Sequence, residues 1–179
     1  MSWRADVCRR LLAMGVGFGL LLGMSAARAE DVPEYRLKDA FLYNFAAFTE
    51  WPADVGGTLN LCIYGADPFG AEIDPLNGKT VGARAVEVHR NSSLDTLKGC
   101  QLVFVPATSV GQLPRVLETV RGVPVLVVAD SPGATRLGAA LNMNITQGRV
   151  SFEANLAATR AVKLKLSANL LRLATEVIQ

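Results

Sequence analysis

Two unbroken apolar runs most constrain what this chain can fold into: Gln101 to Pro106, built on Leu-Val-Phe-Val, and Pro124 to Ala129. A strand with one wet face alternates polar and apolar residues. A continuous apolar run instead needs cover on both faces, as strands of a parallel sheet receive from flanking helices. Between the two runs, Ser109 to Arg121 carries Leu113, Val116, Leu117 and Val120 at helical spacing and stops at Gly122. Leu59 to Tyr64 and Ala83 to His89 read as further strands, with turns at Asp67-Pro68-Phe69-Gly70 and Asn77-Gly78. Past Asp130 the pattern changes. Ala139 to Ile145 and Arg149 to Asn155 read as strands joined by Thr146-Gln147-Gly148, a short gap that predicts an antiparallel hairpin. Asn155 is placed to cap a last helix from Leu156 to about Val177, whose apolar face Lys163 and Lys165 interrupt near a break around Ser167. The expected fold is therefore three-layered α/β. A mixed, mostly parallel sheet carries helices on both faces, followed by the C-terminal hairpin and a long C-terminal helix.

The first 29 residues read as an address. Arg4, Arg9 and Arg10 precede an uncharged apolar stretch, Leu11 to Leu22, too short to anchor in a bilayer, and Ala27-Arg28-Ala29 supplies a cleavage pattern. The expectation is a secretory signal peptide over 1–29 and one domain over 30–179. Without the leader, 14 basic and 15 acidic residues remain, so the basic character of the whole chain belongs to the leader. No Lys/Arg cluster survives, which argues against nucleic acid or anionic lipid as a partner. Cys62 and Cys100 are the two cysteines left. An even count in an exported chain favours a disulfide over the alternative of two buried thiols.

Six of the ten aromatic residues after the leader fall between Tyr35 and Trp51. At helical spacing, Leu37, Phe41, Phe45 and Phe48 form one stripe, expected to face the core. Tyr35, Leu42, Tyr43 and Ala46 form a second face, open either to the rest of the fold or to a partner. Pro52 is expected to stop the helix at Trp51.

Catalytic chemistry finds little support. His89 is the only histidine, no Gly-x-Ser-x-Gly elbow exists, and no catalytic residue is assigned. One histidine and two cysteines do not make a zinc site, scattered acids do not make a calcium loop, and no phosphate-binding glycine pattern remains. No metal or cofactor is expected. Ligands of open α/β sheets bind beyond the carboxyl ends of the strands. Asp67, Ser109 and Asp130 lie in the three loops of that kind, and each can equally serve as a turn former or helix cap.

The run Ala-Phe-Leu-Tyr-Asn-Phe-Ala-x-Phe-x-Glu-Trp-Pro, Ala40 to Pro52, resembles the opening motif of the YfiR-like periplasmic family. The resemblance continues through Leu61 to Gly65, Asp67-Pro68-Phe69, Leu76 to Lys79, Gly99 to Val105, Val125 to Asp130, Val150 to Ala158 and Leu170 to Ala174. It implies an exported, non-catalytic regulator. Such a regulator would bind the periplasmic part of an inner-membrane diguanylate cyclase and hold it inactive, lowering cyclic-di-GMP and biofilm formation. It also implies a homodimer, an outer-membrane lipoprotein of the OmpA type that can sequester the brake, and pairing of the positions of Cys62 and Cys100. Leu137-Gly138-Ala139 departs from the Gly-Gly pair common in the family, and no further cysteines are present for a second bridge. Within this reading Tyr35, Leu42, Tyr43 and Ala46 are the expected interface. The alternative is a periplasmic small-molecule sensor with its ligand at Asp67, Ser109 and Asp130.

Overall fold

The structure is a computed structural model that describes residues 31–53 and 55–179. The expected leader lies outside the described residues.

Helix α1 (Asp31–Ala47) precedes an eight-stranded sheet. The strands are β2 (Thr58–Tyr64), β3 (Thr80–Val81), β4 (Arg84–Ser92), β5 (Leu102–Val105), β6 (Leu126–Ala129), β7 (Leu141–Thr146), β8 (Arg149–Asn155) and β10 (Glu176–Ile178), in the order β10-β8-β7-β6-β5-β2-β4-β3. Strands β4, β2, β5, β6 and β7 run parallel, β3 and β8 are antiparallel to their neighbours β4 and β7, and β10 is parallel to β8. The expected mixed, mostly parallel α/β sheet is thus present.

The unbroken apolar runs do what their composition requires. In β5, Leu102 and Phe104 point into one core while Val103 and Val105 point into another. In β6, Leu126 and Val128 alternate with Val127 and Ala129 in the same way. The first core lies under α1 and holds Phe45, Phe69 and Phe152; the second lies under helix α2 (Leu113–Thr119) and holds Leu113, Val116 and Val120. Cys62 of β2 and Cys100, just before β5, form a disulfide with 6.0 Å between their Cα atoms at the rim of the second core.

Four details differ from the sequence reading. The stretch expected as a helix from Ser109 opens instead as a 3-10 turn over Ala107–Gln112, and α2 begins only at Leu113, with Pro114 in its first turn where no amide hydrogen bond is needed.

The core phase of α1 is also different. Leu37 and Phe48 are 43% and 40% exposed, whereas Leu42, Phe45, Ala46 and the charged Lys38 are buried. Thus Leu42 and Ala46, expected at an interface, are core residues. The buried arc runs 38, 42, 45, 46, 49, and the lysine within it has a buried acidic partner that sequence spacing does not show.

The helix stops at Ala47, not at Trp51. Thr49 Oγ1 donates to the carbonyl of Phe45 at 2.6 Å, and Trp51 Nε1 donates to that of Ala46 at 3.0 Å. These side chains satisfy carbonyls that the last turn leaves bare. Thr49–Glu50 then forms strand β1.

The last element expected, one long helix, is a broken series: α3 (Leu156–Ala161), β9 (Lys165–Leu166), α4 (Ala168–Leu171) and β10. Lys163 adopts a left-handed φ of 60°, and from there exposed lysines alternate with the buried Leu164 and Leu166. That is a period of two, which suits a strand; β9 pairs antiparallel with β1. The hairpin between β7 and β8 does form, on a two-residue turn with both Gln147 and Gly148 at positive φ (52° and 71°).

Candidate functional site at the carboxyl end of the sheet

Strands β2, β5 and β6 end in the loops that carry Asp67, Ser109 and Asp130, and the three residues have separate roles. Asp67 Oδ1 accepts from the amide of Phe69 at 2.8 Å, closing a turn that seats the Phe69 ring against Tyr35 (centroids 5.1 Å apart) and Phe104 (5.0 Å). Its other oxygen pairs with Arg90, which also binds Asp74 and the carbonyl of Gly70. Ser109 packs beside Gly65, so closely that a Cβ added to Gly65 would lie 2.7 Å from its hydroxyl.

Asp130 is different. Its side chain is 1% exposed, and Oδ2 receives a hydrogen bond from Lys38 Nζ at 2.7 Å, itself 4% exposed. Lys38 also pairs with Glu34 one turn earlier, and its ammonium stands 4.4 Å over the Tyr35 ring. Burial pulls the Lys38 pKa down, but the hydrogen bonds that its ammonium donates to Asp130 and Glu34 outweigh it, and the group is held above the ordinary lysine value. Among the described residues, Asp130 Oδ1 and the buried hydroxyl of Ser131 have no hydrogen-bond partner.

From Ser131 a chain of polar contacts crosses β7 and β8. The Ser131 amide donates to Asn142 Oδ1 (2.9 Å), Asn142 Nδ2 to Asn144 Oδ1 (3.1 Å), and Asn144 Nδ2 to Glu153 Oε1 (2.8 Å). Thr135 Oγ1 donates to the second oxygen of Glu153 (2.7 Å), and Asn155, the cap of α3, donates to the Thr135 carbonyl (2.8 Å). Strand pairing sets Asn142 opposite Glu153. Alternation places Met143 and Phe152 on the other side, where Phe152 meets Phe45 and Phe41 of α1.

Beside this chain lies an open cleft of about 880 Å³, lined by Glu34, Lys38, Asp130, Arg136, Glu153 and Glu176 with apolar wall from Pro132 and Ile145. Asp67 and Ser109 do not line it. Sequence reading missed Lys38, Glu153 and Asn142; the alternation of Asn142, Asn144 and Glu153 with apolar neighbours is the signal that a polar sheet face was present.

The side chains expected at an interface are largely occupied by the fold itself. Besides the buried Leu42 and Ala46, Tyr43 is half-buried, donates to the carbonyl of Thr80 at 2.9 Å and lies under Lys79. Tyr35 packs on Phe69. Among the described side chains, the large apolar ones that α1 and its final turn leave exposed are Leu37 and Phe48.

His89 is exposed on β4, with Nε2 3.0 Å from Asn60 Oδ1. No group of three or more His, Cys, Asp or Glu side chains among the described residues could hold a metal ion. No helix there is long and apolar enough to cross a membrane.

The family model described as YfiR/HmsC-like matches residues 35–175. Among solved structures, a conserved domain protein of Vibrio cholerae is similar at a TM-score of 0.55 and 6% identity, over 80% of this chain and 60% of that one. The ABC domain in complex with L-Trp from Streptococcus pneumoniae matches at a TM-score of 0.48 and 11% identity, over 68% of this chain and 55% of that one. This chain therefore spans little more than half the length of either.

Proposed function

Because the chain belongs to the YfiR/HmsC-like family, we propose that it is an exported regulator that binds the periplasmic sensor part of an inner-membrane signalling protein and represses it. The family is regulatory and periplasmic, and the match over 35–175 is the observation that carries the reading. The client we propose is a diguanylate cyclase, so that the regulator lowers cyclic-di-GMP and biofilm formation. An OmpA-type outer-membrane lipoprotein is the proposed competitor that releases it, and a homodimer the proposed active form.

Repression of this kind is a population shift. A regulator that binds the inactive state of its client more tightly than the active one holds it there by that difference in affinity. The surface we assign to the contact is the exposed stripe through Leu37 and Phe48. Apolar area exposed on a helix that is otherwise locked into the core suits a rigid docking face. The test is direct. Deleting the gene should raise cyclic-di-GMP, and the purified protein should bind the periplasmic domain of a membrane diguanylate cyclase encoded beside it. Unchanged cyclic-di-GMP together with no complex would sink the reading.

A second reading, a small-molecule sensor, is favoured by one observation: the buried, unpartnered oxygen of Asp130 at a charged cleft. A metabolite screen by thermal shift tests it, since a ligand of the folded state raises the melting midpoint.

A further inference from the structure

The charges around the cleft do not balance. Of its six charged lining residues four are carboxylates, Glu34, Asp130, Glu153 and Glu176. Lys38 takes Glu34 and one oxygen of Asp130, and Arg136 lies 3.6 Å from Glu176. Glu153 is held by neutral donors alone, Asn144 and Thr135, and no cation among the described residues pairs with it. Asp130 Oδ1 is buried and bare among the described residues. Buried carboxylate oxygens are nearly always hydrogen-bonded, so a donor from outside the chain is the natural occupant.

The chemistry of that donor is limited. The carboxylates are not grouped tightly enough to hold a metal ion. They are distributed along a cleft with Pro132 and Ile145 in its wall. An alkyl chain with an ammonium at each end answers all three features. It supplies N–H donors to separated carboxylates, offsets the excess negative charge, and lays its methylenes on the apolar wall.

We propose that this cleft binds a small aliphatic diamine, one ammonium serving the bare oxygen of Asp130 and the other Glu153. The proposal rests on the sensor reading and names its ligand class.

The experiment is calorimetric titration of the purified protein with putrescine. Saturable one-to-one binding is expected, about tenfold weaker for butylamine, which lacks the second ammonium. Glu153→Gln should weaken putrescine binding about tenfold. Arg136→Glu, an exposed change that is safe for folding, should tighten it severalfold. Absence of saturable heat overturns the proposal, as does displacement of putrescine by equimolar magnesium, which would mark a merely acidic surface. Equal affinity in the wild type and Arg136→Glu overturns it even if Glu153→Gln does not fold. If putrescine fails while another metabolite raises the melting midpoint, the sensor reading stands and only the ligand class falls.

Discussion

Lys38 Nζ lies 2.7 Å from Asp130 Oδ2, and this buried pair ties the N-terminal half of α1 to the carboxyl end of β6. The contact spans 92 residues of sequence and joins the helix to the sheet at the rim of the charged cleft.

Removing one partner leaves the other charge stranded. Asp130→Asn or Lys38→Met should each lower stability by about 3–5 kcal/mol, whereas Lys38→Met with Asp130→Leu should recover much of the loss. Urea unfolding of the three variants measures this. Equal destabilisation by the double change would show that the pair acts through more than charge.

Alkali should loosen the same contact. The folded protein holds the Lys38 proton more tightly than the unfolded chain, whose lysine has the ordinary value of 10.5. Stability from the pair is therefore complete below that value and falls as pH rises from it through the elevated folded pKa. Melting curves between pH 9 and 12 should show a slope that Lys38→Met reduces; parallel curves would contradict the assignment.

Gly65 has a φ of 71° and faces the Ser109 hydroxyl. Gly65→Ala should cost about 1–2 kcal/mol from the left-handed backbone alone, and more from the clash. Ser109→Ala in the same chain should remove the second part only. A double-mutant cycle by chemical denaturation separates the two.

The disulfide should be worth at most about 4 kcal/mol in the chain-entropy view, for the loop it closes. Thiol titration of the unreduced, denatured protein should find neither Cys62 nor Cys100 free. Cys62→Ser with Cys100→Ser should lower the melting midpoint without changing the far-ultraviolet spectrum.

Leu37→Glu should leave stability within about 1 kcal/mol, because the side chain is already substantially exposed, and should abolish complex formation with the cyclase sensor domain. A Leu37→Glu protein that folds and still captures the client would move the interface elsewhere.

Much of the sheet was legible because its rule is local. Leu102–Val105 and Leu126–Ala129 are apolar at every position, and only a strand covered on both faces uses such a run. The phase of α1 was not legible, because aromatic rings drew the stripe toward Leu37 and Phe48 while the buried arc admits a lysine. Lys38 reads as a surface residue until Asp130 is placed beside it, and that meeting is long-range. The end of α1 was misread for a related reason. Pro52 is the visible stop, but Thr49 and Trp51 terminate the helix earlier through side-chain hydrogen bonds. In the C-terminal segment, Lys163-Leu164-Lys165-Leu166 already showed a two-residue period, which the longer apolar helical spacing around it concealed. Of the expected ligand residues, Asp130 alone lines the cleft. Glu153 joins it through strand register, which no single segment reveals.

The pairing of β1 with β9 sets the order in which the chain can become itself. Thr49 meets Leu166 and Glu50 meets Lys165, so α1 is fastened by a segment far along the chain. Phe45 likewise waits for Phe152, and β8 waits for β10 to cover its edge. Contacts so distant in sequence must absorb a large loop entropy before they return any burial. A chain cut short of Leu166 therefore lacks the strand that fastens α1, and the core under that helix closes only once β8 and β9 are in place.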